Sequence, residues 1–528
     1  MRKKNIAIFM ALSMQITGCQ GIHNEQTVTN SPVVSDIVEV KVTEKTEPIE
    51  VTEKTAEEAE KPRITIITES KTYQNEEKTL DVLYYERQYA VLEKDNNYKE
   101  LAGGVARFFA DNKTAMEAKA EDYAKESGRF LNEVSQDEAY QYIYSLNQQV
   151  IPERADSRIL SLELITYEYR GGAHGGNIYS GVTFDAKTGK ELNFSDVITD
   201  QEKFKSATYD YIVNAVETYA GEDGLYPEYK ETIQSSFDNL TWTLTDYGMQ
   251  ITYPEYELAP FAAGAFTVDL PYSLIKDYMN QEYLPVEGKD MFVKLTKNQC
   301  YQLDFGKGEQ QALIKEDIDT GENYYLKSAV MTLGEKEMNI YQTEEYGLYY
   351  SGEYYYVKNK DNKEYLLATF LSDNDWKTTF VYELQYGELE KVDQIDGSIV
   401  DANRNVEGFE MSHKVDIFGT YEGKKTYTIS ANGKIVTNDT EYRLTNEIGG
   451  EWERVLTAKS QVKAVVDGKE MTLEPESKIS PVAVGDGKLY FKMDGKDGCL
   501  EYEDGDYGMQ EIGGIDVEEI FDGIEYAG

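Results

Sequence analysis

The sequence predicts an α+β domain, an antiparallel sheet packed on two long helices, followed by an all-β region with a small SH3-like barrel near the C-terminus. Three observations carry this. Two long stretches before residue 221 repeat apolar residues at helical spacing. Strand-like runs surround them and end in a hairpin near residue 247. After Met291 the texture changes to short alternating runs separated by turn pairs: Asp396-Gly397, Asn432-Gly433, Asp467-Gly468, Asp486-Gly487 and Asp494-Gly495.

Taken in order, Ile64, Ile66 and Ile67 suggest a first strand and Leu83 to Leu92 a second. From about Tyr98 to Ser127 the period becomes helical, with Leu101, Val105, Phe108 and Phe109 on one face. The Gly103-Gly104 pair is expected to weaken or bend that helix. Strands return at Tyr140 to Val150 and Ile159 to Tyr169, the latter with apolar character on both faces. A second helix is expected from about Gln201 to Ala220, with Phe204, Tyr211, Ile212, Ala215 and Tyr219 on one side. In the hairpin Leu240, Trp242 and Leu244 alternate with Thr241, Thr243 and Thr245, Asp246-Tyr247-Gly248 turns the chain, and Met249, Ile251 and Tyr253 follow. A strand at Phe266 to Leu270 precedes a short helix that Pro271 opens. Residues 288–450 read as a sandwich or as propeller-like blades, and 451–528 as the small barrel.

The chain has 528 residues, enough for about two to four domains. Its 53 Lys and Arg stand against 97 Asp and Glu, a formal net charge of -44. Such a surface repels nucleic acid and attracts cationic partners, though solubility alone also accounts for it. The 43 tyrosines suit half-buried strands, or else an adhesive surface for sugar or protein. Only three histidines are present, His23, His174 and His413, and no His/Cys cluster has metal-ligand spacing. No cofactor motif, nucleophile elbow, Walker loop or zincin motif occurs. Asp494, Asp497, Asp504 and Asp506 read as solvated turns, because the terminal Glu of a calcium loop is missing. Cys300 and Cys499 lie about 200 residues apart, and the sequence leaves their pairing open.

At the N-terminus Arg2, Lys3 and Lys4 precede a short apolar stretch, Ile6 to Met14, and then Ile16-Thr17-Gly18-Cys19. The apolar core is too short to span a bilayer and reads as a secretory signal, residues 1–18. An aliphatic residue, two small residues and Cys resemble the lipobox of bacterial lipoproteins. That resemblance implies lipidation at Cys19 and a cell-membrane location, facing outside the cytoplasm. Residues 19–62, in which Val-Thr-Glu-Lys-Thr recurs, are too poor in large apolar residues to fold and are expected to form a tether.

Two segments exceed generic pattern. One is Tyr169-Arg170-Gly171-Gly172-Ala173-His174-Gly175-Gly176-Asn177, running to Asp185-Ala186-Lys187-Thr188-Gly189-Lys190. The other is Tyr253-Pro254-Glu255-Tyr256-Glu257-Leu258-Ala259-Pro260-Phe261-Ala262-Ala263-Gly264. Their glycines permit turns and close backbone approach, and the prolines disfavour helix. Together they resemble the extracellular, lysozyme-receptor domain of the bacterial anti-sigma-V factor, whose modules also precede the catalytic domain of some peptidoglycan deacetylases. The resemblance covers about residues 70 to 285 and implies a recognition region, 63–287, built of modules at about 63–170 and 171–287. It implies binding rather than catalysis, with Arg170, His174, Asn177, Tyr253, Tyr256 and Phe261 as candidate contacts. Arg170 is as well placed to pair with a local acid, and the aromatics to fill the core. The sequence departs from the deacetylases, since only His413 follows residue 290. The expected function is a non-catalytic, envelope-anchored binder of basic lysozyme. The alternatives are a module for peptidoglycan or another wall glycan, or a wall-remodelling enzyme with an unfamiliar site.

Overall fold

The computed structural model describes residues 61–527 except 76–79, 93–95, 132–142, 222–223, 286–289, 305–308, 320–323, 344–347, 360, 386–387, 407, 449–450 and 506–508. Cys19, the signal and the expected tether lie outside the described residues. The first sheet has the order β1 (Ile64–Gln74), β2 (Asp81–Leu92), β3 (Tyr144–Ala155), β4 (Ile159–Tyr169), β5 (Gly176–Asp185). It is not wholly antiparallel as expected. β2 and β3 run parallel from Leu83↔Tyr144 to Arg87↔Gln148, because the long helix α1 (Lys99–Leu131) lies between them in the chain. The apolar period of α1 decides what it covers. Leu101, Val105 and Phe109 pack with Leu160, Leu162, Leu164, Val182 and Phe184, and Met116, Ala120 and Tyr123 with Leu83, Tyr144 and Leu146.

Helix α1 runs unbroken through Gly103-Gly104. Gly104 is a contact residue: a Cβ there would lie 2.1 Å from the Gly189 carbonyl oxygen. Gly189, at φ +64°, would in turn place a Cβ 2.0 Å from the Glu100 carbonyl oxygen. The turn that carries Gly189 is held by Asp185, whose Oδ1 accepts from the Lys187 and Thr188 amides at 3.0 and 2.8 Å. Helix backbone thus rests directly on turn backbone.

After the short helix α2 (Phe194–Val197), α3 (Gln201–Ala220) and α4 (Tyr229–Ser236) precede a second sheet of β6 (Thr241–Leu244), β7 (Gly248–Tyr253) and β8 (Phe266–Pro271), closed by α5 (Tyr272–Ile275). Strand alternation sorts the two faces. Leu244, Met249, Ile251, Phe266, Val268 and Leu270 pack with Phe204, Ile212 and Val216 of α3. Each long helix therefore covers its own sheet. The reverse face of β6 to β8 meets the first sheet along a polar seam. There the Leu244 amide donates to Ser161 Oγ at 2.9 Å, and Thr252 Oγ1 donates to Glu163 Oε1 at 3.1 Å. This explains the two-faced character of β4, covered by α1 on one side and by the seam on the other.

The rest is β-rich. A five-stranded antiparallel sheet has the order β17 (Glu388–Asp396), β16 (Lys377–Gln385), β15 (Glu364–Leu371), β14 (Ser351–Lys358), β9 (Met291–Leu295), and a four-stranded sheet the order β10 (Cys300–Asp304), β11 (Glu309–Asp319), β12 (Tyr325–Leu333), β13 (Lys336–Gln342). One face of the five-stranded sheet packs Tyr354, Leu366 and Phe370 against Leu303, Ile314 and Met331. Its other face packs Tyr355, Leu367 and Val381 against Phe409, Met411 and Tyr427. β15 is therefore buried on both faces, and reads Glu-Tyr-Leu-Leu-Ala-Thr-Phe-Leu without alternation.

The expected SH3-like barrel does not close. Strand Tyr442–Thr445 pairs with Lys478–Gly485 through Tyr442↔Val484, so the last strands extend one twelve-stranded sheet. An edge that closure would have used is taken by this pairing. Three of the five expected turn pairs, Asp467-Gly468, Asp486-Gly487 and Asp494-Gly495, have positive φ at both positions, whereas Asp396-Gly397 and Asn432-Gly433 have it at the glycine alone. No described helix is long and apolar enough to cross a membrane.

Neighbouring glycines in α1 should respond with opposite sign. Gly104→Ala and Gly189→Ala each drive a methyl into backbone and should cost about 1–3 kcal/mol or more. Gly103, whose nearest neighbour is the flexible Arg107 guanidinium at 3.4 Å, should gain up to about 1 kcal/mol as Ala. Urea midpoints of the three variants check this, and equal effects at 103 and 104 would refute the contact.

Candidate functional site

The two singled-out loops meet. Gly171 and Gly172, at φ +82° and +100°, turn the chain between β4 and β5 and bring His174 across to the loop joining β7 to β8. The imidazole stacks on Phe261, with ring centroids 3.8 Å apart and planes 15° apart. Its Nδ1 lies 2.8 Å from the Gly175 carbonyl oxygen, which can only accept. Nδ1 therefore carries the proton, and Nε2 accepts from the Tyr256 hydroxyl at 3.3 Å. Tyr256 has φ +69° and is 56% exposed. Beside the rings, Glu255 Oε1 accepts from Asn177 Nδ2 at 2.8 Å and from the Tyr179 hydroxyl at 3.2 Å. Burial, then the Glu255 carboxylate, pushes the Tyr179 hydroxyl pKa up.

Four of the six expected contacts, His174, Asn177, Tyr256 and Phe261, thus form one exposed cluster. The other two do not join it. Arg170 binds both carboxylate oxygens of Glu126 on α1, at 2.8 and 2.6 Å, and lies over the Tyr123 ring. Tyr253 is 1% exposed and belongs to the α3-facing core, as its place in the β7 alternation requires.

A second feature escaped the sequence reading. A cavity of about 180 Å³ lies where the seam meets β9 and the loop after residue 400, lined by Glu153, Glu163, Asp246, Asp269, Lys294 and Arg404 among others. Arg404 donates to the Pro152 carbonyl at 3.0 Å and pairs with Glu153 at 3.5 Å. Asp269 accepts from Gln299, Tyr301 and Gln250, all neutral, at 2.6, 2.8 and 3.3 Å. Burial raises its pKa to about 6 against those bonds. Burial, with Glu153 nearby, raises Glu163 to about 7. These groups can hold protons near neutral pH. The signal in the sequence was one acid in the middle of each of two strands otherwise rich in apolar residues and Thr, β4 and β8. Among the described residues no group of three or more His, Cys, Asp or Glu is arranged to hold a metal, and Cys300 and Cys499 are free thiols.

A family model described as "Protein of unknown function (DUF3298)" matches residues 195–273, from α2 to α5. That span holds the Tyr256 and Phe261 loop but not the His174 loop. Solved structures of two DUF3298 family members are similar to this chain. The Bacteroides fragilis protein is 17% identical with a TM-score of 0.32, over 42% of this chain and 94% of that one. The Pseudomonas aeruginosa protein is 15% identical with a TM-score of 0.30, over 43% of this chain and 98% of that one. No curated protein matches.

Asp269 and Glu163, whose carboxyls are raised furthest toward neutral, set a pH dependence. A carboxyl whose folded pKa lies above its unfolded value binds a proton on folding. Its stabilising effect is full below the unfolded pKa and is lost as pH rises through the folded one. Between pH 4 and 7 the chain should therefore lose stability as Asp269 and Glu163 ionise. Thermal melts at pH 5 and pH 8 check this. Asp269→Asn should shrink the difference by roughly 2–4 °C per kcal/mol removed, and an unchanged difference would show that Asp269 does not contribute.

Proposed function

We propose that the chain is a surface lipoprotein, anchored through Cys19, whose ectodomain binds a partner at the cell envelope without transforming it. The observation that carries this is the ring cluster. Two separate loops converge to hold Tyr256 outward on a backbone conformation that bulky residues rarely adopt. Exposed aromatic surface with a hydroxyl is what recognition sites use. The best-supported partner is a basic lysozyme. The formal charge of -44 steers a cationic protein toward the chain, with an on-rate that falls as salt rises. The resemblance to a lysozyme-receptor domain covers both loops, and the DUF3298 match covers the loop that carries Tyr256 and Phe261. A second reading rests on the same rings: an exposed ring face also suits the apolar face of a wall sugar.

Calorimetry of the unlipidated chain (C19S) with basic lysozyme tests the first reading. Binding should be measurable at low salt and weaken at least about tenfold near 0.3 M salt. Joint replacement Tyr256→Ala and Phe261→Ala should cost about 2 kcal/mol or more of binding energy. Absence of heat at low salt sinks the lysozyme reading. Retention of the same chain on purified walls, lost in the double variant, would move the function to glycan. In the native chain, Cys19→Ser should release the protein from the membrane fraction.

A further inference from the structure

β5 ends the first sheet, and its outer edge is open along its first half. The direction of its backbone groups is fixed at the far end. The Asp185 amide donates to the Lys190 carbonyl at 2.9 Å, and the Leu192 amide donates to the Thr183 carbonyl at 2.7 Å. Thr183 and Asp185 therefore turn their backbone groups away from β4. Successive residues alternate, and the β4–β5 register runs without a shift from Ile159↔Asp185 to Glu168↔Gly176. Asn177 and Tyr179 consequently face outward too. Among the described residues no strand pairs with them. On its seam-side face the strand is covered from Gly181 onward, where a Cβ would lie 1.8 Å from the Trp242 carbonyl oxygen.

An open edge is a template for another strand, and proteins blunt such edges with Lys, Pro or a bulge. Gly176-Asn177-Ile178-Tyr179-Ser180 has none of these, and Ile178 is 51% exposed. The occupant is indicated by Glu255. It lies against this edge, both of its donors there are neutral, and no ion pair among the described residues includes it. The ring cluster stands at the start of the same strand.

We propose that the Gly176–Ser180 edge accepts an extended, cationic segment of a protein partner as an added strand, with Glu255 pairing a Lys or Arg of that strand. This rests on the binding reading above and names the chemistry of its partner. Asn177 and Tyr179 would exchange about four backbone hydrogen bonds with the guest, and Ile178 would gain an apolar neighbour.

Residue-resolved hydrogen exchange on the full chain tests this. The probe is a ten-residue peptide of alternating Val and Lys with blocked ends, and the controls are its Val/Glu counterpart and an N-methylated Val/Lys version. The Val/Lys peptide should slow exchange at the Asn177 and Tyr179 amides by about tenfold or more, neither control should, and the inward Ile178 and Ser180 amides should be slow throughout. Glu255→Gln should weaken the peptide about three- to tenfold. The proposal is overturned if those two amides stay fast at saturating peptide, or if the acidic peptide slows them equally. It is also overturned if they are already slow in the free chain, with concentration dependence pointing to a second copy and concentration independence to a segment of the chain itself. Slowing by the peptide without any lysozyme heat keeps the edge and removes lysozyme as partner. Lysozyme binding that leaves both amides fast does the reverse.

Discussion

One buried carboxyl group fixes how the two helix-covered sheets meet the β-rich region. Asp269 points from β8 into the seam, and its oxygens take donors from three places: Gln250 on β7, Gln299 before β10, and Tyr301 on β10. No cation assists. A buried carboxylate is costly unless its lone pairs are satisfied, so β10 must begin where Gln299 and Tyr301 can reach. Tyr247 reinforces the register from the hairpin turn. Its ring packs on Tyr301, and its hydroxyl accepts from the Gln302 amide at 2.7 Å. The loop carrying Tyr256 and Phe261 joins β7 to β8, so the strands that Asp269 locks are the strands that place the rings.

Partners, rather than burial, decide what each hidden acid does. Asp401 is partly buried, and burial alone would raise its pKa. Lys294, at 2.6 Å, and Arg404 outweigh that and hold it below the usual carboxylate range. Asp269 has only neutral donors, and its pKa rises. The same chain thus carries a carboxyl that two cations hold in its ionised form at Asp401 and a protonatable one at Asp269, the latter on the wall of the cavity. With 97 acids in the chain, almost all can stay in water. Those that do not are positioned by specific donors, which suits a joint whose geometry matters more than its gross stability.

Local pattern was legible and long-range pairing was not. Helix α3 begins and ends where its apolar period does, and the alternation read in β6 and β7 sorts in the structure into a seam face and a core face. These are one-element properties. The parallel β2–β3 pairing depends on where α1 delivers the chain, and the barrel expectation failed because Tyr442–Thr445 found a partner some forty residues away. Gly104 looked like a helix defect because its reason lies at Gly189, far along the chain. At the site, His174, Asn177, Tyr256 and Phe261 were findable because loops rich in Gly and Pro advertise themselves. Tyr253 shares that motif but obeys its strand. Glu163 and Asp269 were passed over because one acid in a strand looks like an exposed position until the second sheet is laid over it.

The strain at Tyr256 is informative because the fold offers a comparison. Most non-glycine residues at positive φ here are Asn or Asp, which tolerate it: Asn298, Asn362, Asn374, Asp375, Asp467, Asp486 and Asp494. Two aromatics share the conformation, Phe418 at φ +56° and Tyr256 at φ +69°. Phe418 is fully buried against Tyr502 and Phe521, so apolar burial of about 2–3 kcal/mol offsets a strain of about 1–2 kcal/mol. Tyr256 has no such offset, because more than half of its surface faces solvent. Neither the single 3.3 Å hydrogen bond to His174 nor the tilted contact with Phe261 replaces a core. Buried Leu258 and Ala259, two and three residues on, anchor the loop and hold the backbone in place. The fold therefore holds this ring outward at a cost in stability that no contact among the described residues offsets.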